Sequence, residues 1–307
     1  MKKTFSYGIT VSMLLFVFVW PVFSAGFPVE ETQPTPAATE GINYVMLIHG
    51  TEYNSKIGDM VDYFFKSVFK PGDTLMIFSP VKPYKYSPQT LQTLTKEQLI
   101  KQTTDVLKRD ISVSSATYQS ATDSMIKTVL DIGATQGSNE AGSAGGRSGE
   151  DVKSLLVQYK QIQQNFREQR NKLDEGLFMK LAEMYKNQKG KTVFYVFYQK
   201  EIKYVPDRTT MDRLRSNMAV GMDAIEIFQG ENLKKIMDIE VVSQALKSSG
   251  VVLNFVYMLI DAPRRMGTEQ KEFSTDVYNV FQGLAEKTGG TIISTSKVVE
   301  VFNPKKK

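Results

Sequence analysis

The chain has 307 residues, no cysteine, a single histidine and a formal net charge of +5. Lack of cysteine excludes disulfides, thiolate metal sites and cysteine nucleophiles, so the fold must rest on a hydrophobic core. Lys2, Lys3, Lys305, Lys306 and Lys307 supply the whole positive excess, which leaves the body neutral and without the basic stripe a nucleic-acid groove needs.

Lys2 and Lys3 precede an apolar run over residues 5–23, followed by Ser24, Ala25 and Gly26. That order reads as a secretory signal over residues 1–25. The run is also near the length that spans a bilayer, so a retained membrane anchor is the competing reading. Residues 26–42, punctuated by Pro28, Pro34 and Pro36, read as a tether without structure of its own.

Tyr44-Val45-Met46-Leu47-Ile48 is a continuous apolar run, as in a strand covered on both faces. Ile57, Met60, Val61, Phe64, Phe65 and Val68 recur at helical spacing, and Pro71-Gly72-Asp73 turns the chain into a second strand at residues 74–78. Strand, helix and strand within about 35 residues make a right-handed crossover unit. Residues 81–86 lie among Pro80, Pro83 and Pro88, which suits an edge strand. Thr95 and Gln98 form a capping-box pair opening a helix that runs to about Arg109, with Leu99, Val106 and Leu107 inward.

Residues 113–150 change character. A short helix is expected around Met125-Ile126 and Val129-Leu130, then a glycine- and serine-rich mobile loop over residues 133–149. Gly146-Arg147-Ser148-Gly149 lacks the lysine of a phosphate-cradling loop. Residues 151–189 carry Leu155, Tyr159, Ile162, Phe166, Leu173, Leu177, Leu181 and Met184 at three- to four-residue spacing, which predicts one long helix. A third strand follows at 192–198, then a helical or irregular stretch at 207–229 and a helix at 240–246. A fourth strand at 251–260, a helix at 275–287 and a last strand at 291–294 complete the chain. The alternation predicts an α/β protein with a doubly wound, mostly parallel sheet.

Four segments resemble a von Willebrand factor type A domain of the exported bacterial kind. They are the opening strand with its polar loop, Lys70-Pro71-Gly72-Asp73-Thr74, the stretch from Gln244 to Val252, and Leu284-Ala285-Glu286-Lys287-Thr288-Gly289-Gly290-Thr291-Ile292-Ile293. The resemblance implies a domain over residues 43–112 and 190–303, interrupted by a helical insertion at 113–189 and ending in a basic tail at 304–307. It also implies a divalent-ion site built from an aspartate and two hydroxyl residues after the first strand, plus a later threonine and aspartate. His49, Thr51 and Tyr53 stand at the first three positions, and Tyr198-Gln199-Lys200 stands where the later aspartate belongs. Only Thr51 keeps a suitable oxygen. The expectation is a degenerate site with no metal and no cofactor, with Glu52 and Asp59 near enough to compensate in principle.

Leu47-Ile48-His49-Gly50 also resembles the strand end of α/β-hydrolases. That reading lacks a late histidine and a nucleophile elbow, since Glu150 stands where the elbow's last glycine belongs. The expected protein is therefore an exported, non-enzymatic module in the periplasm or beyond, either soluble or loosely associated with the envelope. It binds a partner protein through the loops at 49–54, 79–82, 198–204 and 261–266. His49, Thr51, Glu52, Tyr53, Gln199, Lys200, Arg264 and Arg265 are the candidate contacts. The alternative is an assembly subunit forming homo-oligomers through the 151–189 helix.

Overall fold

A computed structural model describes residues 41–86, 88–137, 149–168, 173, 175–230 and 236–302. The expected signal, the tether, most of the glycine-rich segment and the basic tail lie outside the described residues. The strands are β1 (Asn43–His49), β2 (Thr74–Phe78), β3 (Pro83–Tyr86), β4 (Thr192–Gln199), β5 (Ile202–Pro206), β6 (Val251–Met258), β7 (Thr268–Glu272) and β8 (Ile292–Thr295). The helices are α1 (Ser55–Tyr63), α2 (Pro88–Thr93), α3 (Lys96–Gly137), α4 (Gly149–Glu168), α5 (Glu175–Tyr185), α6 (Arg208–Ser216), α7 (Gly221–Gln229), α8 (Ile239–Ser248) and α9 (Thr275–Thr288).

Six strands form one sheet in the order β3-β2-β1-β4-β6-β8. All neighbours are parallel except β3, which runs antiparallel at the edge, where its proline is tolerated. This is the doubly wound α/β fold that the alternation of elements predicts.

The two-residue period of the strands divides their side chains between two cores. Tyr44, Met46 and Ile48 of β1 face a core under α1 and the first half of α3, with Leu99, Leu107 and Ile111. Val45 and Leu47 face a second core under α5, α8 and α9. One π turn (Phe64–Val68) closes α1, with Phe69 N–H bonded to the Phe64 carbonyl at 2.9 Å. The wider turn brings Phe64, Phe65 and Phe69 together into the first core. A third core lies beyond the sheet. It gathers Met125, Val129 and Ile132 of α3, Tyr159 and Phe166 of α4, Leu214 of α6 and Phe228 of α7. The antiparallel ribbon β5–β7 joins this core through Val205.

Three sequence expectations need correction. The helix opened by the Thr95–Gln98 capping box does not stop near Arg109 but continues to Gly137. No glycine or proline interrupts it before Gly133, and Ile111, Ser115 and Met125 extend its buried face. The single helix expected over 151–189 is two, α4 and α5. Their stripes serve different cores: Leu156 and Tyr159 the third, Phe178 and Leu181 the second. The boundary expected at residue 113 falls inside α3, which enters both the first and third cores, and α5 covers the sheet. The ribbon was not anticipated, since the β7 segment Thr-Glu-Gln-Lys-Glu carries no apolar alternation. The uncertain stretch at 207–229 forms α6, capped by the Asp207 carboxylate on Thr210 N–H at 2.8 Å, and α7.

Candidate functional site

In a doubly wound sheet the chain departs in opposite directions from the two central strands, which leaves a crevice at their carboxyl ends. Here those strands are β1 and β4, and their last paired residues are His49 and Tyr198. The two rings stack with centroids 4.4 Å apart and planes 8° from parallel. His49 Nε2 lies 3.2 Å from Glu201 Oε1, and the Tyr198 hydroxyl donates to the same oxygen at 2.7 Å. Glu201 is only 2% exposed, so its carboxyl group needs hydrogen-bond partners such as these to offset the water it has lost.

The network continues through the backbone. Glu201 N–H donates to Ser274 Oγ at 3.1 Å, and Ser274 Oγ lies 2.6 Å from the Tyr257 hydroxyl. Tyr257 donates in turn to Glu272 Oε1 at 2.5 Å. Burial, and then the Glu272 carboxylate, push the Tyr257 hydroxyl above the ordinary tyrosine range, so it stays a donor. Lys200 Nζ pairs with Glu272 Oε2 at 3.3 Å.

Gln199 ties β4 to the loop after β1. Its buried Oε1 accepts from Thr51 N–H at 2.7 Å and from Glu52 N–H at 3.1 Å. Gly50 fits closely beneath this clamp: a Cβ there would stand 3.2 Å from Ile111 Cγ2 and 3.4 Å from Gln199 Oε1. Tyr53 leaves the crevice altogether. It packs on the first core, with Lys108 Nζ 6.0 Å from its ring centroid.

The divalent ion implied by the resemblance does not fit this donor set. His49 Nε2 faces Glu201, Gln199 Oε1 already accepts two N–H bonds, and Tyr53 lies elsewhere. Thr51 offers one hydroxyl where a hard cation takes about six oxygens. Among the described residues no three histidine or acidic side chains converge.

Beside the crevice lies a cleft of about 300 Å³ between α3, β5 and the loop after β6. Tyr118 of α3 accepts from Ile202 N–H at 3.2 Å. The Tyr204 hydroxyl donates to the Pro263 carbonyl at 2.9 Å, and Gln270 Nε2 holds the Ala262 and Pro263 carbonyls at 3.0 and 2.9 Å. Burial raises the Tyr204 hydroxyl, while Arg265 lowers it and Asp123 raises it, so both charges stand close to this wall. Thr51 Oγ1 and Thr122 Oγ1 are buried at the cleft and make no hydrogen bond to the described residues.

The structure thus brings His49, Thr51, Glu52, Gln199 and Arg265 to one crevice and its adjoining cleft. Arg264 is exposed on the neighbouring loop, Lys200 is held by Glu272, and Tyr53 is remote. Gln199, 2% exposed, is a strut rather than a contact. Sequence reasoning placed Glu201 and Asp261 in candidate loops without singling them out, and missed Tyr118, Thr122 and Asp123. The adjacency of the β1 and β4 ends would have pointed to Glu201. Asp123 carried no signal until α3 proved continuous.

No protein-family model matches this sequence, and no curated protein matches it significantly. Among the described residues no helix is long and apolar enough to cross a membrane.

Proposed function

We propose that this chain is an exported, non-enzymatic, type A-like module that grips a partner protein with the loops at the carboxyl edge of its sheet, without a bound ion. The observation that carries this reading is the Gln199 clamp. A neutral carboxamide spans from β4 to the β1 loop by two short hydrogen bonds, which is the structural task a bridging cation performs in the resembled family. The loops are thereby preorganised before any partner arrives, which lowers the cost of association. The doubly wound sheet and the crevice at its switch point support the same reading. The alternative of assembly through residues 151–189 finds no comparable support. The apolar stripe of that segment, with Tyr159, Phe166, Phe178 and Leu181, is already spent on internal cores.

The test is capture of partners from native envelope extract by the mature domain. Capture is expected to persist in a chelator and to be lost in Arg264→Glu. In Gln199→Leu the Thr51 amide, whose donor is left buried, should exchange with solvent about tenfold faster or more, and the Glu52 amide by a smaller factor, since a net hydrogen bond contributes about 1 kcal/mol. Capture that requires added magnesium, manganese or calcium, or that survives every change in the carboxyl-edge loops, sinks the reading.

A further inference from the structure

The ribbon β5–β7 leaves one of its edges open. Among the described residues β7 pairs with β5 and with no other strand. The register sets Lys203 against Lys271 and Val205 against Glu269. Two bonds just beyond the strand ends show which pairs exchange hydrogen bonds: Phe273 N–H to the Glu201 carbonyl at 2.9 Å, and Asp207 N–H to the Gly267 carbonyl at 3.3 Å. By the alternation of an antiparallel ladder, Glu269 and Lys271 bond to β5 as well, and the backbone groups of Thr268, Gln270 and Glu272 point away from it. Of these outward groups only Thr268 N–H has a partner among the described residues, the Arg265 carbonyl at 3.1 Å. Glu269, Gln270 and Glu272 are exposed. Met266, at the entrance to the strand, is 97% exposed.

The charges along this edge complement themselves on reversal. The strand reads Thr268-Glu269-Gln270-Lys271-Glu272. A second copy running antiparallel about Gln270 sets each Glu269 opposite a Lys271. Both side chains lie on one face of the ribbon by the two-residue period, and Glu269 Oε1 accepts there from Arg208 N–H at 3.1 Å. Within its own ribbon Lys271 opposes Lys203, a like charge, so a carboxylate on its other side is favourable.

We infer that β7 pairs with β7 of a second copy of this chain, antiparallel and centred on Gln270, which joins the two ribbons into one continuous sheet. Gln270 exchanges N–H···O=C bonds with its own counterpart, and each Glu272 N–H reaches the opposite Thr268 carbonyl. Glu269 and Lys271 then fall at non-bonded pairs, where side chains from the two strands lie closest. Exposed ion pairs contribute little, so the backbone bonds carry the association and the charges choose its register. A slip of two residues one way sets Glu269 opposite Glu269, and the other way Lys271 opposite Lys271. The contact is small, so its dissociation constant is on the order of 10–100 µM. This inference goes beyond partner binding by the carboxyl-edge loops and does not rest on it.

The test is sedimentation velocity of the mature chain from about 1 to 500 µM, which should show a monomer–dimer equilibrium. Glu269→Lys and Lys271→Glu should each weaken the dimer about tenfold or more, and the double reversal Glu269→Lys/Lys271→Glu should recover it to within about threefold. The chain has no cysteine, so Gln270→Cys supplies a second test that leaves these charges in place. Residues paired at that position stand about 5.5 Å apart between Cα atoms, within disulfide reach. Mild oxidation should cross-link Gln270→Cys about fivefold or more faster than Val157→Cys, an exposed position on α4. A monomer throughout the concentration range overturns the inference. So does a dimer that is indifferent to both single reversals, or that a folded double reversal does not recover. Equal or faster cross-linking through Val157→Cys also overturns it, by assigning assembly to residues 151–189.

Discussion

At the amino end of the central sheet the chain packs backbone against backbone, whereas at the carboxyl end it packs side chains around open space. A Cβ on Gly290 would come within 1.7 Å of the Leu253 carbonyl oxygen, and one on Gly41 within 2.0 Å of the Gly72 oxygen. Buried polar groups there are answered in full. Asp73 accepts from Ile42 and Lys70 N–H at 2.8 Å each, and the Asn254 carboxamide oxygen accepts from Thr291 N–H and hydroxyl at 3.0 and 2.8 Å. The carboxyl end holds the stacked His49–Tyr198 pair, the buried Glu201, two unbonded threonine hydroxyls and the cleft. One end is closed, the other prepared to accept something. The contrast follows from the winding of the sheet, since its crevice opens only outside the carboxyl ends.

The sharpest break of this contrast comes at the closed end. Gly290→Ala forces a methyl group into a backbone carbonyl that has no room to yield, and should cost about 3 kcal/mol of unfolding free energy. Denaturant titration would measure it. A cost under about 1 kcal/mol means that the closed end is looser than its geometry says.

A smaller effect is expected at the open end, where Asp110 anchors the β2 and β3 termini. Its carboxylate, 1% exposed, accepts from the Ser79 hydroxyl at 2.6 Å, the Tyr84 hydroxyl at 2.7 Å and Arg109 Nε at 3.0 Å. Burial alone would raise its pKa, but the three donors and the arginine charge outweigh it and leave the group below the ordinary aspartate range. A carboxyl depressed in the folded state stabilises above its unfolded pKa, about 3.9, and that contribution fades as pH falls through the folded value. Asp110→Asn should therefore cost about 2 kcal/mol at pH 7, and the gap from wild type should narrow as pH falls below about 4. Urea melts at both pH values decide this. A gap that is constant from pH 7 to 3 means the carboxylate is not acting through its charge.

The smallest change is Thr51→Val. The lost hydroxyl bonds to nothing described, and the shape is conserved, so stability should move by less than about 0.5 kcal/mol and in the stabilising direction. A loss above about 1 kcal/mol would reveal a bond that the open end is argued not to have.

Much of the closed end was legible in the sequence. Pro71-Gly72-Asp73 reads as a turn, and Thr288-Gly289-Gly290 as a helix stop. Gly289 does adopt the left-handed conformation, φ 75°, that ends α9. The open end was legible only in part. His49 was legible as a polar residue at the end of an apolar strand, while Thr51, Glu52 and Gln199 were singled out only through the ion-site positions that the family resemblance implies. Tyr53, taken from the same loop, turned out to serve the core, because a half-apolar ring beside α1 gains more from burial than from solvent. Glu201 and Asp123 reach the site from sequence positions that no local pattern connects to it.

The sequence by itself determined the six strands of the main sheet, most of the helices and the doubly wound alternation, because hydrophobic period and turn chemistry are local properties of neighbouring residues. Tertiary structure alone decided that α3 runs unbroken into a third core, that 151–189 divides between two cores, and that β7 pairs with β5. It also decided which side chains line the cleft. Those outcomes depend on which surfaces the folded chain brings together, and no spacing along the chain encodes that distance.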